Sequence, residues 1–297
     1  MNLLEKFDKI QKVLFRPSTE NLWKRNLIIL AAAQFIAMVG MSMVIPFLPF
    51  YIRELGITNQ DELEHWSGIV FSGPFILSFI LTPVWGMLGD RFGKKTMVMR
   101  AIFGLAVSQL LIGFSANVVQ LFIFRMVQGA ISGFIASSLA LVSSSTPKER
   151  SGYAIGILQT SISSGTVIGP FIGGIISDMT SYRTVFFVTS VLCFISGILV
   201  FIIVKEPERT AVKKIYTVAE NYRYVFGKSE ILTAMISITF IQISITIAQP
   251  VFALFVESIT KGTEYISTLT GAIFGTLDIF SVISSPWWGR RNDTKSF

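Results

Sequence analysis

The sequence predicts an all-α membrane protein: a bundle made of one complete six-helix half followed by two helices of a second half. Three observations carry that prediction. Eight stretches are long and apolar enough to cross a bilayer, basic residues fall on alternate loops between them, and a pattern around the second stretch returns around the eighth. Composition agrees: 52% of residues are hydrophobic against 14% charged, and the mean hydropathy is +0.63. A soluble domain of ordinary size would not tolerate that balance.

A spanning helix needs roughly 20 apolar residues, and in lipid only a helix or a closed barrel satisfies every backbone polar group. The eight spans are centred near Val39, Leu77, Leu105, Ile131, Ser164, Cys193, Ile243 and Leu277. Basic residues collect on the cytoplasmic side of a membrane, so their placement tests this count. Lys6, Lys9, Lys12, Arg16, Lys24 and Arg25 precede span 1; Arg91, Lys94, Lys95 and Arg100 follow span 2; Lys148 and Arg150 follow span 4. Lys205, Arg209, Lys213, Lys214, Arg223 and Lys228 separate spans 6 and 7, and Arg290, Arg291 and Lys295 follow span 8. Of the 25 Lys and Arg, Arg53, Arg183 and Lys261 occupy opposite loops, and Arg125 is read as the only basic residue inside a span. The alternation is clean and places both termini in the cytoplasm.

The net charge of +7 follows topology rather than a nucleic-acid surface, so anionic lipid headgroups are the expected partner and nucleic acid is not. Residues 1–25 form a cytoplasmic segment. Leu3, Leu4, Phe7, Ile10, Val13 and Leu14 recur there at helical spacing among lysines, which fits an amphipathic surface helix or a solvated tail. Residues 26–204 form the six-helix bundle, 205–230 a cytoplasmic linker containing Glu206-Pro207-Glu208-Arg209, and 231–297 the two-helix remainder.

Covalent chemistry finds no support. The chain has one cysteine, Cys193 in mid-span, and one histidine, His65 in an outer loop, so no disulfide, metal cluster or Cys/His nucleophile can be assembled. Gly93-Lys94-Lys95-Thr96 and Gly227-Lys228-Ser229 resemble the end of a phosphate loop, but Leu88 and Tyr222 stand where its upstream glycine is required. No enzyme, no cofactor and no ATP-driven engine is predicted.

The repeat is informative. Pro83-x-Trp85-Gly86-x-x-x-Asp90 returns 203 residues later as Pro286-x-Trp288-Gly289-x-x-x-Asp293, and Gly68, Phe71, Ser78 and Ile80 map on Gly271, Phe274, Ser281 and Ile283. Span 8 is thus a second copy of span 2, and parallel repeats of this kind build transporters that alternate access around a midplane site.

These residues also carry a resemblance. Gly86 through Lys95 resembles the signature loop between helices 2 and 3 of the major facilitator superfamily, with Asp90 and Arg91 at its defining positions. Leu121-x-x-x-Arg125-x-x-Gln128-Gly129 resembles the second motif, and Gly165-x-x-x-Gly169-Pro170-x-x-Gly173-Gly174 the third, found mainly in exporters. Pro46-x-x-Pro49 agrees with the drug-pump branch, so the chain is similar to the proton-coupled drug antiporters of bacteria. The resemblance implies an inner-membrane protein that exchanges protons for amphipathic, often cationic, small molecules. Twelve helices are the family's rule, and the second signature loop decays after Asp293 into Thr294-Lys295-Ser296-Phe297, which reads as truncation with four helices missing. A transporter of a native metabolite such as a sugar, an inactive fragment, and a fragment that pairs with a second copy or a complementing piece are the alternatives.

Candidate functional residues follow. The turn Gly86, Gly89, Asp90, Arg91, Gly93, Lys94 and Lys95 is expected to control the inner gate, with Asp90 just past a helix end and directed at another helix's N-terminus or an arginine. A charge inside a span costs a few kcal/mol, so Arg125 should face the bundle, with Gln128, Gly129, Ser132 and Gly133 on the same helical stripe. The resemblance gives Arg125 to proton coupling; bracing between helices is the other reading. Asp278 is the only carboxylate deep in a span, where it could titrate with the cycle, bind a cationic drug, or stand exposed in a half-built domain. Gln34, Gln242 and Gln249 could contact substrate or cross-link helices.

Overall fold

In the computed structural model the described residues are 22–206, 218–246, 254–256, 258–259, 266–276, 287 and 291. Among them every regular element is helical. α1 (Leu22–Val44) passes through a short 3-10 turn into α2 (Leu48–Glu54), and α3 (Gln60–Phe92) and α4 (Lys94–Gly113) follow. Next come α5 (Val118–Ile131), α6 (Phe134–Ser145), α7 (Ser151–Met179) and α8 (Tyr182–Ile203). α9 (Val218–Phe226), α10 (Ser229–Thr246) and α11 (Ile266–Thr276) complete the described part.

Six helical units are long and apolar enough to cross a membrane, running from Leu22–Glu54 to Tyr182–Ile203. α10 is the seventh expected span as a shorter apolar helix, and α11 covers only the beginning of the eighth. Within the expected linker, α9 is helical, with Gly227 N–H returning to the Arg223 carbonyl at its end.

Helix boundaries follow local chemistry. Asn59 caps α3 by accepting from the N–H groups of Asp61 and Glu62; Asn117 caps α5 and Ser181 caps α8 in the same way. Where α1 would meet Pro46 and Pro49, the missing donors break the helix and it restarts as α2. α3 instead absorbs Pro74 and Pro83 in its interior.

α1 lies at the centre, packed on α6, α7 and α8, with α4 against α8 and α5 against α3. Two apolar clusters fill the interior. One includes Leu30, Val98, Leu141, Leu158 and Val204 and lies at the end of the bundle that carries Lys94, Lys148 and Lys205, called here the basic end. The other includes Met43, Tyr51, Leu63, Leu121 and Phe186 at the far end. Tyr51 closes the far end by donating its hydroxyl to the Ile112 carbonyl at 3.0 Å and packing on the Phe186 ring. Outward faces are apolar: Phe75, Ile76, Phe79 and Ile80 on α3, and Met235, Ile238, Phe240 and Ile241 on α10, are exposed, as residues facing lipid or further helices must be.

Candidate functional site

Helix α3 runs further than the sequence suggests. Gly86, Gly89, Asp90 and Arg91 belong to its last two turns, and the turn itself is Gly93, whose φ of +107° only glycine adopts without strain. Asp90 is therefore inside the helix end rather than just past it. The reason is a continued ladder: Gly93 N–H still returns to the Gly89 carbonyl at 2.9 Å. Gly89 faces Met97 so closely that an added Cβ would stand 3.2 Å from its side chain, which lets α3 and α4 meet without a loop.

The first turn of α4 has a partner that sequence reading missed. Glu206, after the end of α8, accepts from the backbone N–H groups of Lys94 at 2.9 Å and Lys95 at 3.2 Å, while Lys95 Nζ donates to the Phe201 carbonyl at 2.8 Å. A carboxylate at a helix N-terminus satisfies orphan donors and complements the dipole. Asn26, fully buried in α1, exchanges hydrogen bonds with the Lys205 backbone in both directions, so the chain leaving the six-helix half is pinned to α1 and α4. Beside the Gly93 turn, a cavity of about 110 Å³ opens between α3 and α6, lined by Gly86, Asp90 and Lys94 on one side and by Ala136, Ser137 and Ala140 on the other.

The fourth expected span is not continuous. Gly133 takes φ +110°, ending α5 and restarting the chain as α6. Arg125, Gln128 and Gly129 therefore share a face of α5, but Ser132 and Gly133 do not continue it; the left-handed glycine turns them off the stripe. The break frees backbone carbonyls, and two donors meet them: Trp85 Nε1 to the Ala130 carbonyl and Arg100 Nη2 to the Ser132 carbonyl, both at 2.8 Å. The Arg100 guanidinium lies 3.6 Å from the centroid of the Trp85 ring, a cation–π contact, and the Ser78 and Ser132 hydroxyls meet at 2.6 Å. Arg100 is thus, like Arg125, a basic residue within a spanning helix. It sits in the second turn of α4, not in the loop after span 2, because its guanidinium has this partner on the neighbouring helices. The signal available in the sequence is Gly133 in an apolar run; its partners are not legible there.

Arg125 is 9% exposed and donates from Nη1 to Gln128 Oε1 at 2.9 Å, one turn along α5, while its Nε has no hydrogen-bond partner among the described residues. Gln34 in α1 is 1% exposed with its Nε2 likewise unpartnered among them. Polar groups left open inside a membrane bundle mark surfaces that water or a ligand can complete. Gln242 is exposed on α10. Asp278 and Gln249 lie outside the described residues, as do Trp288 and Asp293 of the second signature copy.

α7 carries two stripes of small residues, one helical step apart. Gly165, Gly169 and Gly173 face α1: added Cβ atoms would stand 2.9 Å from Val39 N, 2.5 Å from the Val39 carbonyl and 2.5 Å from the Met43 carbonyl, respectively. The buried Ser42 hydroxyl lies between the Met38 carbonyl of its own helix, at 2.5 Å, and the Gly165 carbonyl across this seam, at 2.9 Å, and its one hydrogen is shared between them. Pro170, Gly174 and Asp178 face α11: a Cβ on Gly174 would lie 2.6 Å from the Ser267 carbonyl, and one on Gly271 would strike the Pro170 carbonyl. Such approach requires glycine on at least one of the two facing helices.

A bundle of six spanning helices in one half, continuing into a second half whose helix α11 docks on its fifth span, defines a multi-pass membrane transporter. Comparison with known proteins names the family. The model described as Major Facilitator Superfamily matches residues 30–296, and the chain belongs to that family. It is 34% identical over 274 residues to the multidrug resistance protein MdtG of Proteus mirabilis, covering 92% of this chain and 68% of that protein. Against MdtG of Salmonella arizonae it is 34% identical over 272 residues, covering 91% and 67%. The chain thus spans about two thirds of the length of these relatives. Among solved structures, the human organic anion transporter MFSD10 (TETRAN) has the same fold, with a TM-score of 0.70 at 13% identity, over 91% of this chain and 72% of that one.

Proposed function

We propose that this transporter is a proton-coupled exporter of amphipathic, often cationic, small molecules in a bacterial inner membrane, with the basic end of the bundle in the cytoplasm. The observation that carries the export reading is the seam between α1 and α7. Its glycine and proline pattern is the one expected of exporters, and here each glycine of the stripe lies against the α1 backbone. The name multidrug resistance protein borne by the relatives supports the drug substrate class. Arg125, buried and only partly satisfied on α5, links protonation to the cavity in this reading, together with Asp278 on the eighth span. The Gly86 to Lys95 segment closes the cytoplasmic end, the cavity beside Asp90 and Lys94 being the place where a helix of the second half seats. Glu206 and Asn26 keep α4 and α8 in register with α1 while it does so. No cofactor enters this scheme; the proton gradient supplies the energy.

The test is accumulation of a fluorescent lipophilic cation in pump-deficient bacterial cells expressing the chain. Lower accumulation than in empty-vector cells, restored to the control level by a protonophore, is the expected result. Equal accumulation in both cell lines overturns the reading, and lower accumulation that a protonophore does not restore overturns the proton coupling.

A further inference from the structure

We propose that Asp178 is a positioning residue of the gate at the far end of the bundle: its carboxylate, reaching from α7 to cap α11, holds the two halves together there, and its release lets that end open. The proposal rests on the chain being a transporter of this family and not on the identity of its substrate.

The contact is specific. Asp178 Oδ2 accepts from the Thr268 backbone N–H at 2.9 Å and from the Thr268 hydroxyl at 2.7 Å. Thr268 stands in the first turn of α11, where N–H groups have no partner in their own helix and a negative charge is favoured. A second, weaker contact lies beside it, the Tyr182 hydroxyl 3.3 Å from Ser267 Oγ. The residues so joined are 90 apart in sequence and belong to different halves of the repeat, α11 being the start of the copy of α3.

What lies beneath the cap explains why it can act as a latch. Pro170, Gly174, Ser267 and Gly271 bring the α7 and α11 backbones together with almost no side chain between them. Such a seam interdigitates little, so the helices can part without repacking a core. Asp178 itself is exposed, so opening leaves its charge in water and strands no buried ion. Ser267, Thr270 and Gly271, by contrast, are buried only because α11 is seated, and opening would wet them. Alternating access needs an interface that closes firmly and parts cheaply, and this one has both properties.

The experiment uses the whole chain in proteoliposomes with Ser267→Cys as reporter. Ser267 is 1% exposed, and Cys193, the only native cysteine, is buried and serves as an internal control for folding. Labelling by a membrane-impermeant maleimide is read at each cysteine by mass spectrometry. Asp178→Ala is expected to raise labelling at position 267 about five- to tenfold, the size of effect for a solvent-exposed contact whose partners regain water on opening. Asp178→Asn, which keeps an acceptor, restores part of the protection. Thr268→Val raises labelling in the native background and adds nothing to Asp178→Ala, as two members of one contact must. Unchanged labelling in Asp178→Ala, or additive effects of the two substitutions, overturns the proposal. If Asp178→Ala exposes Cys193 the fold has failed, and Thr268→Val then decides: increased labelling at position 267 supports the latch, and no increase overturns it. Because no substrate is used, this outcome is independent of the efflux assay.

Discussion

The two faces of α7 use the same device for different ends. Toward α1, glycines at 165, 169 and 173 bring backbone against backbone, and the polar contact is a buried hydroxyl, Ser42, set between the Met38 carbonyl of its own helix and the Gly165 carbonyl across the seam. Toward α11, Pro170 and Gly174 bring backbones equally close, but the polar contact is the exposed carboxylate of Asp178. The first seam lies inside one half of the protein and is dry; the second lies between halves and is wet at its rim. A buried hydrogen bond must stay made, because breaking it strands polar atoms, whereas an exposed one exchanges with water at small cost. The difference teaches that close helix packing by itself does not tell a permanent joint from a moving one; the solvation of its polar contact does.

Substitutions at the two seams should separate them. The largest effect is expected for Gly169→Ala, whose new methyl would meet the Val39 carbonyl, Met43 N and the Ser42 hydroxyl, two of them rigid backbone atoms. Overpacking of this kind costs about 1–3 kcal/mol or more, so the chain should lose most of its resistance to unfolding in detergent, read by tryptophan fluorescence. Gly271→Ala strikes the Pro170 backbone, yet α11 can shift away: the cost falls on the interface, with labelling at a Ser267→Cys reporter up about tenfold and the unfolding midpoint nearly unchanged. Equal loss of stability in the two variants would erase the distinction between fixed and moving seams. Thr268→Val comes next and removes one donor to Asp178; exposure of the same reporter should rise about threefold. Smallest is Ser42→Ala, which deletes a hydroxyl whose hydrogen is shared between Met38 in its own helix and Gly165 across the seam; a cross-helix bond in a membrane bundle is worth about 0.6 kcal/mol, and labelling of the far-end reporter should stay at its starting level.

A parallel contrast holds at the basic end. Gly93 is legible as a turn because it lies in a charged, glycine-rich stretch, and the positive φ there requires glycine. The break at Gly133 has the same backbone signature but lies inside an apolar run, where a continuous span is the simpler reading. Trp85 and Arg100, which satisfy the carbonyls freed there, come from helices about 30 to 50 residues away, and no local pattern announces them. Arg100 reads as a loop residue for the same reason: hydropathy counts a guanidinium as a break, whereas an indole face and a carbonyl make it tolerable inside a helix. Glu206 looks like part of a polar linker, and only the approach of α8 to α4 makes it a cap.

Hydropathy, charge alternation and the 203-residue repeat determined that the chain is a helical membrane bundle, roughly where its six long spans lie, and that its second half begins as a copy of its first. Those properties are local or periodic, set by the free energy of moving each segment into lipid, so they can be read one segment at a time. Which carbonyl meets Trp85, which N–H meets Glu206 or Asp178, and which glycine face of α7 is locked are properties of pairs distant in sequence. They exist only once the helices have packed, and so only the tertiary structure decided them.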